Sequence, residues 1–189
     1  MKSIILAMVL MAANSDAKDE MAKVAVCLNY ESVEFNEAQR ARLVASQIYA
    51  QIGVKLEWLF CGSKRDGDVV IWFRHKAPND LAPEVLAWAL PYEGKTIEVF
   101  HDRVRQSTHS YLGDLMGHVL AHEIAHVLQG IARHSQSGVL KPSWSAKERL
   151  AMSFRPLQFT QHDAELIRQG VGARAGKRAS TLAASNSRP

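Results

Sequence analysis

The sequence predicts an α/β fold, in which a twisted mixed sheet of about five strands is backed by one helix and has a second helix beneath it. Two observations lead to this prediction. Short segments rich in Val, Ile, Trp and Phe have the spacing of strands, and two longer segments repeat apolar residues at helical spacing. The order strand, helix, strand at the start favours a right-handed parallel crossover. The length of 189 residues suits one domain.

The chain is predicted to open with a strand, a helix and a second strand. Residues 22 to 29 predict the first strand, residues 36 to 52 an amphipathic helix, and residues 54 to 60 a strand with alternating apolar residues. Asn36 is the expected N-cap of the helix, and Gly53 is expected to end it.

Three further strands are predicted in the middle of the chain. Residues 68 to 74 hold an apolar run that is typical of a strand buried on both faces. Residues 85 to 90 and 96 to 101 predict a hairpin with a turn at residues 92 to 95. Residues 103 to 110 are polar and are expected to form a connection to the next helix.

The C-terminal part is predicted to hold two helices and a mobile tail. A short helix is expected at residues 145 to 152. Thr160 and Asp163 have the form of a capping box for a last helix that ends at Gln169. Residues 171 to 189 hold few large apolar side chains and predict a disordered basic tail.

The excess of basic residues lies in that tail. The formal net charge is +4, and no acidic residue follows Gly170. The predicted domain, residues 18 to 170, is therefore near neutral, and we expect no nucleic-acid partner. The basic residues after Gly170 are Arg174, Lys177, Arg178 and Arg188.

The first 17 residues predict a signal peptide. Lys2 gives a positive start, residues 4 to 13 are apolar, and Ser15, Asp16 and Ala17 fit a cleavage site. The apolar run is shorter than the roughly 20 residues that a membrane-spanning helix needs. We therefore expect a secreted or periplasmic protein that is not inserted in a membrane after cleavage.

The two cysteines, Cys27 and Cys61, leave two alternatives open. In an oxidising compartment they could form a disulfide, because the strands that hold them are expected to be neighbours. They could equally be two separate buried thiols.

The segment His122-Glu123-Ile124-Ala125-His126 carries the chemistry, and it lies in a predicted helix from residue 110 to 129. Residues four apart lie on one face of a helix, so His122 and His126 could bind one metal ion. Glu123 would lie beside that ion as a general base for a water bound to it. This spacing predicts a catalytic Zn²⁺ site with two of its three protein ligands.

The third ligand has one preferred candidate and two rivals. Gly130 is expected to end the helix, so that the chain can double back and present His134 to the metal. Glu148, on the predicted short helix, is the first rival. His118, one turn before His122, is the second, although three ligands along one straight helix close poorly around a tetrahedral ion.

H-E-x-x-H followed by Gly and a third His resembles the metzincin zinc peptidases, whose pattern is H-E-x-x-H-x-x-G-x-x-H and then a Met-containing turn. Here the Gly comes one residue late at Gly130, the His two residues late at His134, and Leu140 replaces the Met. The same run is also similar to small secreted bacterial zincin-like proteins. With Glu148 as third ligand, the arrangement would resemble the gluzincins instead.

The resemblance implies a zincin-like metallopeptidase domain. It implies peptide-bond hydrolysis with zinc and Glu123, a peptide or protein substrate held against a sheet edge, and Leu140 as an apolar floor below the metal. Residues 96 to 99 are the candidate edge. No further oxyanion donor can be assigned from the sequence, although Arg133 is near enough in sequence to be tested in that role. We expect a monomer. The alternatives are a secreted zincin-like binding protein without catalysis, and a zinc amidase that acts on cell-wall peptides.

Overall fold

The computed structural model describes residues 21–29, 33–60, 69–90, 95–108 and 110–186. It has the mixed α/β fold that the sequence predicts. In chain order, the elements are β1 (Ala22–Asn29), α1 (Phe35–Ala50), β2 (Val54–Phe60), β3 (Val69–Arg74), β4 (Ala87–Ala89), β5 (Thr96–Phe100), α2 (His101–Ser107), α3 (Leu112–Gln129), α4 (Ala146–Met152) and α5 (Gln161–Asn186).

The strands form one five-stranded sheet in the order β2-β1-β3-β5-β4. β1 is parallel to β2 and β3, and β3 is parallel to β5, so the predicted parallel crossover is confirmed. β4 and β5 are antiparallel, as a hairpin requires.

The candidate edge at residues 96 to 99 was wrong. β5 pairs with β3 on one side and with β4 on the other, so the strand at this edge of the described sheet is the short β4. Ile97 and Val99 are fully buried. An alternating pattern indicates one buried face, but the same pattern occurs in an edge strand and in its inner neighbour.

Helix α3 is buried against α1 because small residues let the two backbones approach. A Cβ on Gly117 would lie 2.6 Å from the Val44 Cβ and 2.8 Å from the Ala41 carbonyl oxygen. The Tyr49 hydroxyl donates a hydrogen bond of 3.1 Å to the Ala121 carbonyl. The helix with the H-E-x-x-H motif is thus fixed by direct backbone packing against the helix that follows β1.

Several helix boundaries differ from their predictions. α1 begins after Glu34 and not at Asn36. Helix α2 lies where a polar connection was predicted, because its seven residues bury His101 and Val104 without a recognisable apolar repeat. α5 continues to Asn186 and so includes most of the segment for which a mobile tail was predicted.

The extension of α5 beyond Gln169 has a tertiary cause. Val171 is buried, and the Arg174 guanidinium donates a hydrogen bond to the Val127 carbonyl near the end of α3. These contacts stabilise a segment whose own sequence holds little apolar surface, and contacts between distant residues are not visible in a local composition.

Some sequence predictions lie outside the described residues. These include the signal peptide, residues 1 to 17, and Cys61. Cys27 is disulfide-bonded, so the alternative of a free thiol at Cys27 is wrong. No helix in the described part of the chain is long and apolar enough to cross a membrane.

Candidate metal centre

Three histidine side chains converge at the C-terminal half of α3. His122 and His126 lie one turn apart on the helix, and His134 reaches them from the loop that follows it. One nitrogen from each ring lies within 4.8 Å of the other two. The Nε2 atoms of His122 and His126 are 3.0 Å apart. These are the three histidines that the sequence predicts.

The other ring nitrogens determine the tautomers of the two helical histidines. The Nδ1–H of His122 donates to the Val139 carbonyl at 2.8 Å, and the Nδ1–H of His126 donates to the Ile131 carbonyl at 3.2 Å. A carbonyl can only accept, so in each neutral ring Nε2 carries a lone pair. The two facing Nε2 atoms then have no proton between them. Two lone pairs that face each other in this way can bind a cation. The hydrogen bonds from Nδ1–H to backbone carbonyls are the usual outer contacts of metal-binding histidines.

Burial keeps these rings neutral. Desolvation, followed by the charge of its neighbour His126, lowers the pKa of His122 to about 3. Desolvation, followed by the charge of His134, lowers the pKa of His126 to about 4. His134 is exposed, and partial desolvation and the charge of Arg133 lower its pKa as well. Neutral imidazole is the form that binds a metal ion.

Gly130 ends α3 and turns the chain toward the cluster. Its φ of +69° lies in the left-handed region, and its N–H donates to the His126 carbonyl at 2.9 Å. The following loop is closed by the Ser135 N–H, which donates to the Leu140 carbonyl at 2.8 Å. The sequence predicted this helix end because Gly tolerates that φ at little cost.

A buried carboxylate on α5 holds the His134 loop. Asp163 is fully buried. It pairs with the Arg133 guanidinium and accepts from the Ser135 hydroxyl at 2.6 Å. It also accepts from the Thr160 N–H at 3.2 Å and from the Thr160 hydroxyl at 2.7 Å. The capping box at Thr160 is therefore confirmed, and its Asp also fixes both chain neighbours of His134.

The Asp163 contacts correct the expectation for Arg133. This guanidinium is bound to Asp163 and to the His134 carbonyl, at 3.3 Å, so it serves the loop and is not available as an oxyanion donor. Burial alone would raise the pKa of Asp163, but hydrogen bonds from Ser135 and Thr160, and the charge of Arg133, lower it below its usual value. No pattern in the sequence indicates the contact between the loop and α5.

Glu123 is a buried carboxyl group beside the histidine cluster. Its side chain accepts a hydrogen bond from the Ala89 backbone in the edge strand β4, which lowers its pKa. Burial is the larger effect and raises the pKa to about 8. Glu123 thus connects the site helix to the sheet edge and can exchange a proton near neutral pH.

The two rival ligands have other partners. Both Glu148 oxygens accept from the Lys141 ammonium, at 2.7 and 2.9 Å, and Glu148 also accepts from the Ser145 N–H at 2.7 Å. The Lys141 hydrogen bond is the largest cause of its pKa of about 2. Glu148 is the capping-box residue of α4 and is not in the cluster.

His118 uses both ring nitrogens in hydrogen bonds. Its Nδ1–H donates to the Asp114 carbonyl at 2.7 Å, and its Nε2 accepts from the Leu157 N–H at 3.0 Å. The ring is fully buried, and burial lowers its pKa. Both nitrogens being engaged, His118 is a polar contact in the core and has no lone pair left for a metal.

A cavity of about 330 Å³ opens beside the cluster. Its wall beyond the site is formed by the loop before α4, where the Trp144 ring meets the His122 ring edge-on at 5.7 Å between centroids. Leu140, the predicted floor, is fully buried. The cavity is lined by Glu84, Val85, Leu86, Ala87, Ser107, Val119, His122, Glu123, His134, Lys141, Pro142, Ser143, Trp144 and Arg149.

Comparison with known proteins identifies the fold. No protein-family model matches the chain, and no curated protein matches its sequence. Among solved structures, the chain is similar to archaemetzincin from Methanopyrus kandleri, with a TM-score of 0.52 and 16% sequence identity. The match covers 84% of this chain and 99% of archaemetzincin. The predicted fold class is thus confirmed, with archaemetzincin as a structural neighbour.

Proposed function

We propose that this protein is a zinc metallopeptidase, with Zn²⁺ held by His122, His126 and His134 and with Glu123 as general base. The observation that carries the proposal is the close approach of the two Nε2 atoms on α3, 3.0 Å apart, with a third histidine and a buried carboxyl group beside them. Three neutral histidines that leave an open position are a donor set typical of catalytic zinc. The similarity of the fold to archaemetzincin supports the same assignment.

The residues around the metal would have different roles in the reaction. Zinc bound by the three histidines would act as a Lewis acid and would lower the pKa of a water molecule at the site to about 7. Glu123, the buried carboxyl group beside the histidines, would accept the proton of the attacking water and donate it to the leaving amine. The Val139 and Ile131 carbonyls orient His122 and His126.

An extended peptide is the proposed substrate, and β4 is its proposed docking strand. Among the described strands, β4 has a neighbour only on its β5 side, so its other side could pair with an added strand of any sequence. Ala87 lines the cavity, and Ala89 contacts Glu123 through its backbone. A peptide along β4 would thus pass next to the general base.

Export of a monomeric chain is part of the proposal. The N-terminal 17 residues have the features of a signal peptide, and the disulfide-bonded state of Cys27 supports an oxidising compartment. The mature protein would begin near Lys18, and the peptidase domain would include α5, which continues beyond Gly170.

The test measures zinc content and peptide cleavage of the chain from residue 18 to 189. We expect one zinc per chain in the wild type and in the matched control Glu148→Ala, and loss of zinc in His134→Ala. Glu123→Gln should keep its zinc and lower kcat/KM by roughly 100- to 10,000-fold, the usual contribution of a general base.

Other outcomes would point to the alternatives. Loss of zinc only in Glu148→Ala would contradict the ligand set. Full zinc with no cleavage of denatured protein or peptide libraries would favour a binding protein. Cleavage confined to cell-wall peptides would favour the amidase.

A further inference from the structure

A cation without an acidic partner lies in the wall of the cavity. Arg149, on α4, lines the same cavity as His122 and Glu123. One of its terminal nitrogens donates to the Trp144 carbonyl at 2.6 Å. Its Nε is buried and has no hydrogen-bond partner. Among the described residues, Arg149 takes part in no ion pair.

The charges around Arg149 leave it uncompensated. Lys141, the other cation of the cavity wall, is paired with Glu148. The two acidic residues that line the cavity, Glu84 and Glu123, form no ion pair with Arg149. The Trp144 carbonyl takes only one of the donors of the guanidinium.

The chemistry of the guanidinium and of the cavity around it indicates which group Arg149 could bind. A guanidinium matches a carboxylate in shape and charge, and it can donate two parallel hydrogen bonds to one. A surrounding of low polarity strengthens such a contact, because water competes less for the donors. The apolar residues of the cavity are Val85, Leu86, Ala87, Val119, Pro142 and Trp144.

We propose that Arg149 is a specificity residue that binds a carboxylate of the peptide close to the scissile bond. The carboxylate is either an Asp or Glu side chain or the C-terminus of the peptide. This inference rests on the proposed peptidase function, because it places the substrate in the cavity beside Glu123. It defines the substrate class as peptides with a negative charge near the cleaved bond.

The test compares binding of matched peptides to the Glu123→Gln chain with zinc added, so that no cleavage is needed. The probes are octa-alanine peptides with both ends capped and a single Asp at each position in turn, their Asn counterparts, and an octa-alanine with a free C-terminal carboxylate. Isothermal titration gives each Kd. The same Asp and Asn peptides are then offered to the active chain.

We expect at least one Asp peptide, or the free C-terminus, to bind roughly 10- to 100-fold more tightly than its uncharged counterpart, which is the range for a charge-assisted hydrogen bond. The preference should disappear in Arg149→Gln, survive in part in Arg149→Lys, and remain in Arg168→Gln. Arg168 is an exposed residue of α5, so its substitution changes the net charge equally.

Equal Kd values for charged and uncharged probes would overturn the inference, as would a preference that survives in Arg149→Gln. An Asp preference without a terminal preference assigns the site to an acidic side chain, and the reverse assigns it to a C-terminus. A carboxylate preference in binding, together with an active chain that cleaves no peptide, would reject the peptidase function and leave the Arg149 site standing.

Discussion

Asp163→Asn tests whether the C-terminal helix positions the third histidine. Asp163 Oδ1 receives the Arg133 guanidinium and the Ser135 hydroxyl, whereas Oδ2 receives the N–H and the hydroxyl of Thr160. Asn has the same shape but only one accepting oxygen. Whichever way its amide points, its NH₂ group faces donors on one side.

The expected cost follows from these contacts. A hydrogen bond to a charged group contributes about 1.5–3 kcal/mol, and a buried donor without a partner costs about 1–3 kcal/mol. Removing one partner of a fully buried ion pair costs about 3–5 kcal/mol. Since the Arg133 side chain is 32% exposed, water can replace part of its lost contact. We therefore expect Asp163→Asn to lower the free energy of unfolding by about 2–4 kcal/mol.

Zinc affinity separates positioning of His134 from simple capping of α5. A direct outer contact to a metal-binding histidine is worth roughly 10- to 100-fold in affinity. Asp163 contacts the chain neighbours of His134 and not its ring, so we expect Asp163→Asn to lower the affinity for zinc by no more than this range. Urea unfolding with and without zinc gives the stability, and competition with a chromophoric chelator gives the Kd for zinc. Glu165→Gln is the matched control, because Glu165 is an exposed acid of the same helix. We expect it to change stability by no more than about 0.5 kcal/mol.

Two results would refute this reasoning. A variant as stable as the parent would mean that the four hydrogen bonds contribute little. A destabilised variant with unchanged zinc affinity would mean that Asp163 caps α5 without positioning His134.

Two further predictions concern packing and pH. Gly170→Ala should lower the free energy of unfolding by more than about 3 kcal/mol, because the added Cβ would lie 1.8 Å from the Leu128 carbonyl oxygen. The matched variant Gly172→Ala should stabilise α5 slightly, because its added Cβ meets nothing within 4 Å. Thermal unfolding of both variants tests this, and equal changes in stability would contradict it. In the metal-free chain, burial raises the pKa of Glu123 from 4.5 to about 8, so its stabilising effect is complete below pH 4.5 and is lost as the pH rises through 8. As the pH rises from 5 to 9, the free energy of unfolding of Glu123→Gln should therefore increase by about 2–4 kcal/mol relative to that of the parent. Urea unfolding at each pH measures both free energies, and a difference between them that stays constant across this range would contradict the prediction.

The elements that the sequence predicts well have local causes. Strands β1 and β2 were predicted at the bounds that the structure shows. Their apolar residues, and the residues that end them, lie in or directly beside the segments themselves. The end of α3 at Gly130 follows from one residue that tolerates a positive φ. The short helix predicted at residues 145 to 152 is α4, Ala146–Met152.

The features that sequence reasoning missed depend on contacts between distant segments. The order of the hairpin strands in the sheet is set by the pairing of β5 with β3, which no pattern within β5 encodes. The contact of Asp163 with Arg133 and Ser135 joins residues about 30 positions apart. In the sequence, Asp163 has a sufficient explanation as part of a helix cap, so nothing there suggests its second role.

That second role explains how the site tolerates its departure from the metzincin spacing. Two extra residues before His134 should widen the loop and let the third ligand move away from the helix. Here the residues on both sides of His134 are bound to one buried carboxylate, and Ser135 is also bound to the Leu140 carbonyl. One nitrogen of each of the three histidines consequently lies within 4.8 Å of the other two despite the longer spacing. The length of the loop and the Asp163 contacts should therefore depend on each other. A loop shortened by two residues should no longer need Asp163, whereas removing Asp163 alone should leave the long loop without these contacts.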